Sequence, residues 1–213
     1  MNIKRFALGP LWTNGYLISD RSGNAIFLDP AAETEIIVDW MRINNLKLKA
    51  VLLTHGHIDH VAGLNENGFS DIVNGEIYIN KADSEMVLHP PIAFGQKLGF
   101  NFDGIPAFKG IEDGDELSFG DIKVKVMATP GHTEGSVCLL IGEIEGQFAL
   151  FSGDTLFAQS VGRTDLPGGD SSALESSLVK IASLPPELVV YPGHGPSTTI
   201  YDEARKNPFW PRL

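Results

Sequence analysis

Four times in this chain an apolar run ends and gives way at once to a histidine or aspartate in a glycine-containing turn. The four are AVLLT followed by HGHIDH (residues 50–60), VKVMATPGH (124–132), FALFSGD (148–154) and LVVYPGH (188–194). Apolar, β-branched runs of this kind read as strands, and strand ends at one edge of a sheet can converge. The chain is therefore expected to deliver these polar groups to a common edge. In both PGH turns the proline removes a backbone donor and holds the preceding residue extended, while glycine permits positive φ, so the chain reverses and presents the histidine.

Five of the six histidines, His55, His57, His60, His132 and His194, lie in these turns. Only His89 lies elsewhere, before two prolines, and it is read as an ordinary structural side chain. Residues two apart in an extended segment point the same way, so His55 and His57 can grip one metal. Asp59 and His60, at the start of the following helix, point elsewhere and can grip a second. His132, His194 and Asp154 supply two more histidines and a bridging carboxylate, enough to complete both sites. A structural zinc site is usually closed by four ligands rich in cysteine, whereas a larger set of nitrogen and oxygen ligands leaves positions open for water. That donor set points to catalysis.

The rest of the chain sets the frame. Residues 16–19, 25–29, 50–54, 77–79, 122–128, 136–141, 148–154 and 188–192 read as strands, and 33–45, 81–88 and 171–183 as helices. Strands mixed with helices in this order suggest sheets covered by helices. No repeat, linker or low-complexity tract divides the 213 residues, so one domain spanning 1–213 is expected. Residues 89–116, rich in Gly, Pro and Phe, are too long for an ordinary connection and read as a binding loop or lid, with Phe94, Phe100, Phe102 and Phe108 available to shield a substrate. The net charge of −11 repels phosphate backbones, which argues against nucleic acid as a partner. The single cysteine, Cys138, lies in an apolar run and reads as a buried small hydrophobe; its isolation rules out a disulfide framework and fits the cytoplasm. No signal peptide is expected from the N-terminal residues, and no apolar run approaches the roughly 18 residues of a membrane span, so no membrane partner is expected either.

THGHIDH, TPGHTEGS, SGDTLF and PGHGPSTT resemble the motifs of the metallo-β-lactamase superfamily of binuclear hydrolases, in the expected order. GRTDLPGGD and the KNPFW ending are similar in particular to its short, bacterial glyoxalase II-like (hydroxyacylglutathione hydrolase-like) members. The resemblance implies an α/β fold, the four-layer αββα sandwich, with metals at one edge of the sheets. It implies that His55, His57 and His132 hold the first metal, that Asp59, His60 and His194 hold the second, and that Asp154 bridges them. It also implies that Asp29 braces the His55–His60 loop. The glutathione-binding helical extension of longer glyoxalase II enzymes has no counterpart in the sequence, so glutathione specificity is not carried over. Arg163 and Asp165 fall close enough to Asp154 to sit near the cleft, where a structural salt bridge is expected and substrate contact is the alternative.

The implied cofactors are two divalent ions, zinc first, with iron or manganese as alternatives. A bridging water acidified by the ions would attack a carbonyl that they also polarise, with Asp59 as the catalytic group that orients it or accepts its proton. A thiolate leaves without a strong general acid, since its thiol has a pKa of about 8.5. An amine leaving group needs a proton, and no dedicated acid is evident in the sequence. The expected activity is therefore a metal-dependent thioesterase acting on small 2-hydroxyacyl thioesters by a metal-bridging hydroxide. The alternatives are a mononuclear iron persulfide dioxygenase of the same fold, using His55, His132 and Asp154 as a facial triad, or another hydrolase of this superfamily. The oligomeric state is open.

Overall fold

The computed structural model describes residues 1–73, 76–105, 107–143 and 146–212. A first sheet contains, in chain and spatial order, β1 (Asn2–Leu8), β2 (Thr13–Ser19), β3 (Asn24–Leu28), β4 (Lys47–Leu52), β5 (Ile77–Asn80) and β6 (Lys109–Ile111). The β1–β2 and β2–β3 pairs are antiparallel, and β3 to β6 are parallel. The second sheet is built from β7 (Glu116–Phe119), β8 (Ile122–Ala128), β9 (Val137–Glu143) and β10 (Ala149–Gly153). After a small ribbon, β11 (Leu156–Phe157) with β12 (Ser160–Val161), it is completed by β13 (Val189–Pro192) and β14 (Thr198–Thr199), in the order β14-β13-β10-β9-β8-β7.

Parallel neighbours need crossover connections, and helices supply the main ones. In chain order they are α1 (Glu35–Ile43), α2 (Ile58–Val61), α3 (Phe69–Ile72), α4 (Ser84–Leu88), α5 (Ile92–Lys97), α6 (Ser171–Ala182) and α7 (Ile200–Lys206). The crossover from β10 to its parallel partner β13 carries α6, whose start is fixed by Asp170 accepting from the Ser172 and Ala173 amides. Among the described residues no helix is long and apolar enough to cross a membrane.

Strand periodicity builds the layers. Along β3, Ala25 and Phe27 join the apolar cluster beneath α1, while Ile26 and Leu28 join the cluster between the sheets. Val137, Leu139 and Ile141 of β9 enter that same middle layer from the other side, whereas Cys138 turns outward onto Leu174, Leu178 and Ile181 of α6. Both faces of each central strand are covered, so the strands read as continuous apolar runs. The result is a four-layer αββα sandwich. Cys138 is fully buried, as its apolar setting suggested.

The helices expected at 33–45, 81–88 and 171–183 are α1, a 3₁₀ turn (Lys81–Asp83) leading into α4, and α6. The helix expected to begin at Asp59 and His60 is α2, whereas strands β1, β6, β7, β11, β12 and β14 and the short helices α3, α5 and α7 were not foreseen. The irregular stretch 89–116 holds α5 and β6, and its Pro106 lies outside the described residues. The β6 strand exists because it pairs with β5, about thirty residues earlier, a contact that local pattern does not carry. The KNPFW ending also has a structural task, since Asn207 Nδ2 donates to the Ser160 carbonyl at 3.0 Å and to Glu203 Oε2 at 2.8 Å.

Candidate metal centre

Beyond β4 the chain bends at Thr54 and reaches His57, whose φ and ψ of −67° and 144° are extended, before α2 begins at Ile58. His55 and His57 thus precede the helix, and Asp59 and His60 lie on the first turn of α2. His132 comes from the β8–β9 connection, Asp154 follows β10 directly, and His194 follows β13. The two PGH turns differ in mechanism. Gly131 adopts a left-handed φ of 139°, as the sequence suggested, whereas Gly193 does not. Gly193 is needed for close approach, because a Cβ there would lie 2.2 Å from Asp154 Oδ1 and 2.7 Å from His60 Cε1.

All seven ligand-type residues meet at this edge, in three overlapping groups: His55, His57 and His132; His55, His60 and Asp154; and Asp59, His60 and His194. In the first group His57 Nδ1 lies 3.1 Å from His55 Nε2 and 2.9 Å from His132 Nε2. In the third, Asp59 Oδ2 lies 3.3 Å from His194 Nε2 and 3.6 Å from His60 Nε2. Asp154 stands between the groups. Its Oδ2 is 3.6 Å from both His132 Nε2 and His194 Nε2, and its Oδ1 is 3.3 Å from His60 Nε2.

Surrounding hydrogen bonds decide which ring nitrogens face inward as lone pairs. His132 Nδ1 donates to the Arg163 carbonyl at 2.8 Å. His60 Nδ1 donates to Asp29 Oδ2 at 3.0 Å. The Thr54 hydroxyl gives its proton to Asp29 Oδ2 at 2.7 Å and so accepts from His55 Nδ1 at 3.1 Å. Each arrangement leaves Nε2 free to coordinate. Asp29 also accepts from the Thr54 amide at 2.8 Å, so one buried carboxylate orients both His55 and His60.

Burial, reinforced by the neighbouring imidazoles, holds His55 well below the ordinary histidine range; burial and His132 push His57 down to about 4. Both are neutral donors near pH 7. At His60 burial opposes charge, but the carboxylates of Asp154, Asp59 and Asp29 outweigh it and hold the imidazole well above its ordinary value. For Asp59 and Asp154 burial favours the protonated acid, and the facing histidines, His60 foremost, overcome it and keep both ionised. Negative charge is thus focused on His60 Nε2. That nitrogen and Asp154 Oδ1 are fully buried and make no hydrogen bond. Buried polar atoms are rarely left so, and a divalent cation between them satisfies both. The donor set of imidazole nitrogens and carboxylate oxygens suits zinc, iron or manganese.

Other residues fall into place around this centre. Arg163 and Asp165 form a two-pronged, exposed ion pair at 2.7 Å, and only the Arg163 carbonyl touches a cluster histidine. His89 is exposed at the end of α4, outside all three groups. The 89–116 segment adjoins the centre where Gly95 of α5 seats the Ile58 side chain of α2. Its phenylalanines correct the expectation of a shielding lid: Phe100 and Phe102 are buried in the core beneath the first sheet and Phe108 packs against that core. Only Phe94 is well exposed. Sequence reasoning missed Thr13, whose hydroxyl donates to Asp59 Oδ2 at 3.2 Å, and Asp83, which joins two of the ligand loops. Neither carries a local signal, since their partners are distant in the chain.

Residues 8–194 match the family model described as the metallo-beta-lactamase superfamily. The chain belongs to this superfamily and is a metal-dependent hydrolase of its fold. It is 39% identical over 221 residues to an uncharacterized protein of Mycobacterium leprae, with 98% of each chain covered. It is 33% identical over 212 residues to the hydroxyacylglutathione hydrolase GloC of Haemophilus influenzae, again with 98% of each covered. Among solved structures it is similar to the BLEG-1 B3 metallo-beta-lactamase (34% identity, TM-score 0.86, 98% of this chain and 99% of that one). It is similar also to TTHA1623 in a di-iron-bound form (37% identity, TM-score 0.84, 97% and 99%).

Proposed function

We propose that the chain is a binuclear thioesterase, glyoxalase II-like, cleaving small 2-hydroxyacyl thioesters. His55, His57 and His132 would hold one ion, Asp59, His60 and His194 the other, with Asp154 shared. The observation that carries this reading is the position of Asp154 Oδ2, equally distant from a histidine of each group. When bound, two divalent ions supply an acidified water and polarise the carbonyl under attack.

The side chains do the rest. Asp59, held by the Thr13 hydroxyl, orients the attacking water and accepts its proton. Thr54 and Asp29 keep His55 and His60 in one tautomer, so the donors need not reorganise during reaction. Among the described residues no side chain is set aside as an acid for the leaving group, which suits a thiolate and disfavours an amine. The full-length similarity to GloC supports the 2-hydroxyacyl thioester class. The presence of Asp59, His60 and His194 as a second group weighs against a mononuclear dioxygenase.

The test follows thiol release from 2-hydroxyacyl thioesters alongside dissolved oxygen, on protein of measured metal content. Near two ions per chain, thiol release and its loss to chelators are expected. Oxygen uptake with a persulfide, one iron per chain and no thioester cleavage would overturn the proposal.

A further inference from the structure

The ligand loops come from different sheets, and a buried carboxylate outside the donor set joins two of them. Asp83, at the end of the 3₁₀ turn after β5, is fully buried. Its Oδ2 accepts from the Gly56 amide, between His55 and His57, at 2.9 Å. The same oxygen accepts the Thr133 hydroxyl at 2.7 Å, and Oδ1 accepts the Gly135 amide at 2.7 Å, both in the loop that carries His132. The Thr133 hydroxyl in turn accepts from Ser136 Oγ at 2.7 Å, so the network closes without an idle donor. The fit leaves no spare room, because a Cβ on Gly135 would lie 2.6 Å from Asp83 Cγ. Asp83 makes no hydrogen bond to Asp59, His60 or His194. That group is supported by Thr13 and by Asp29, which also serves His55 through Thr54.

We infer that Asp83 is a positioning residue that sets the His57-to-His132 separation, and hence the metal affinity of the three-histidine position, independently of the Asp59, His60 and His194 position. The inference rests on the two-ion reading above. Asp29 serves a histidine of each group, whereas Asp83 bonds Gly56, between His55 and His57, and the loop of His132, so the three-histidine position can be weakened by itself.

The test measures Zn²⁺ affinity by chelator competition in two backgrounds that each retain one position: His194→Ala keeps the three histidines, and His57→Ala keeps the other group. Asp83→Asn preserves shape, but its amide nitrogen must face a backbone N–H in either orientation. In the His194→Ala background it is expected to weaken Zn²⁺ binding about 10- to 100-fold, the range for an outer support of a metal ligand. In the His57→Ala background the change should stay within about twofold, since Asp83 bonds no member of the remaining group and perturbs it only indirectly. Thr133→Val, which keeps the carboxylate and removes one donor, should show the same asymmetry at smaller size, and Thr133→Ser should restore the parent value. Circular dichroism reports the fold, and Thr133→Val decides the matter if Asp83→Asn does not fold. Equal losses in both backgrounds, or no loss in the His194→Ala background, would overturn the assignment. Wild-type protein that takes up no Zn²⁺ would overturn the two-ion reading and this inference with it, whereas two ions in the wild type isolate the failure to Asp83.

Discussion

Asp29 Oδ2 and His60 Nδ1 stand 3.0 Å apart, both buried, and the same carboxylate oxygen takes the Thr54 hydroxyl that orients His55. One aspartate therefore orients a histidine from each proposed metal position. Asp29 also has a left-handed φ of 52°, a conformation asparagine tolerates. Asp29→Asn should thus keep the backbone while it removes the charge and turns an amide nitrogen toward either the Thr54 amide or His60 Nδ1. Metal affinity measured by chelator competition is expected to fall about 10- to 100-fold at both positions, in contrast to the one-sided effect of Asp83→Asn.

Asp59→Asn keeps the size of the side chain and removes the proton acceptor. Thioester turnover is expected to fall about 10²- to 10⁴-fold, while metal content measured on the same samples falls by far less, because the remaining donors of both groups persist. Parallel loss of metal and turnover would reduce Asp59 to a ligand.

Arg163→Ala removes an exposed ion pair but leaves the backbone carbonyl that orients His132. Melting temperature and metal content should match the wild type. A rise in KM with kcat unchanged would reveal substrate contact by the guanidinium.

Phe102→Ala is expected to cost about 3–5 kcal/mol in chemical denaturation, as for a fully buried aromatic. Phe94→Ala, on the exposed face of α5, should change stability by less than about 0.5 kcal/mol. If Phe94 covers the substrate, its loss appears instead in KM for bulkier acyl groups.

Cys138 is fully buried, and burial pushes its thiol up to about 11. Near neutral pH its thiolate population therefore falls far below that of a free cysteine. Iodoacetamide should leave the folded protein unmodified and label one site per chain after denaturation, as read by mass spectrometry. Thioester cleavage should survive the treatment of the folded form.

The candidate donors were legible in the sequence because each of four strands hands on to them through a short turn. His55 and the extended His57, the helical Asp59 and His60, and the turn residues His132, Asp154 and His194 owe their placement to local backbone geometry, with glycine and proline setting the turns. The alternation that splits Ala25 and Phe27 from Ile26 and Leu28 is equally local. What holds the donors in register is not. Asn14 donates to the Pro192 carbonyl across 178 residues, Thr13 reaches Asp59 across 46, and Asp83 bonds Gly135 across 52. Phe100 and Phe102 went to the core rather than the cleft because tertiary packing, not their spacing, selects the face they bury. Sequence alone determined which groups reach the edge of the sheets. The packing of the two sheets decided how far apart they stand, because loop-to-loop hydrogen bonds form only once distant strands have been brought together.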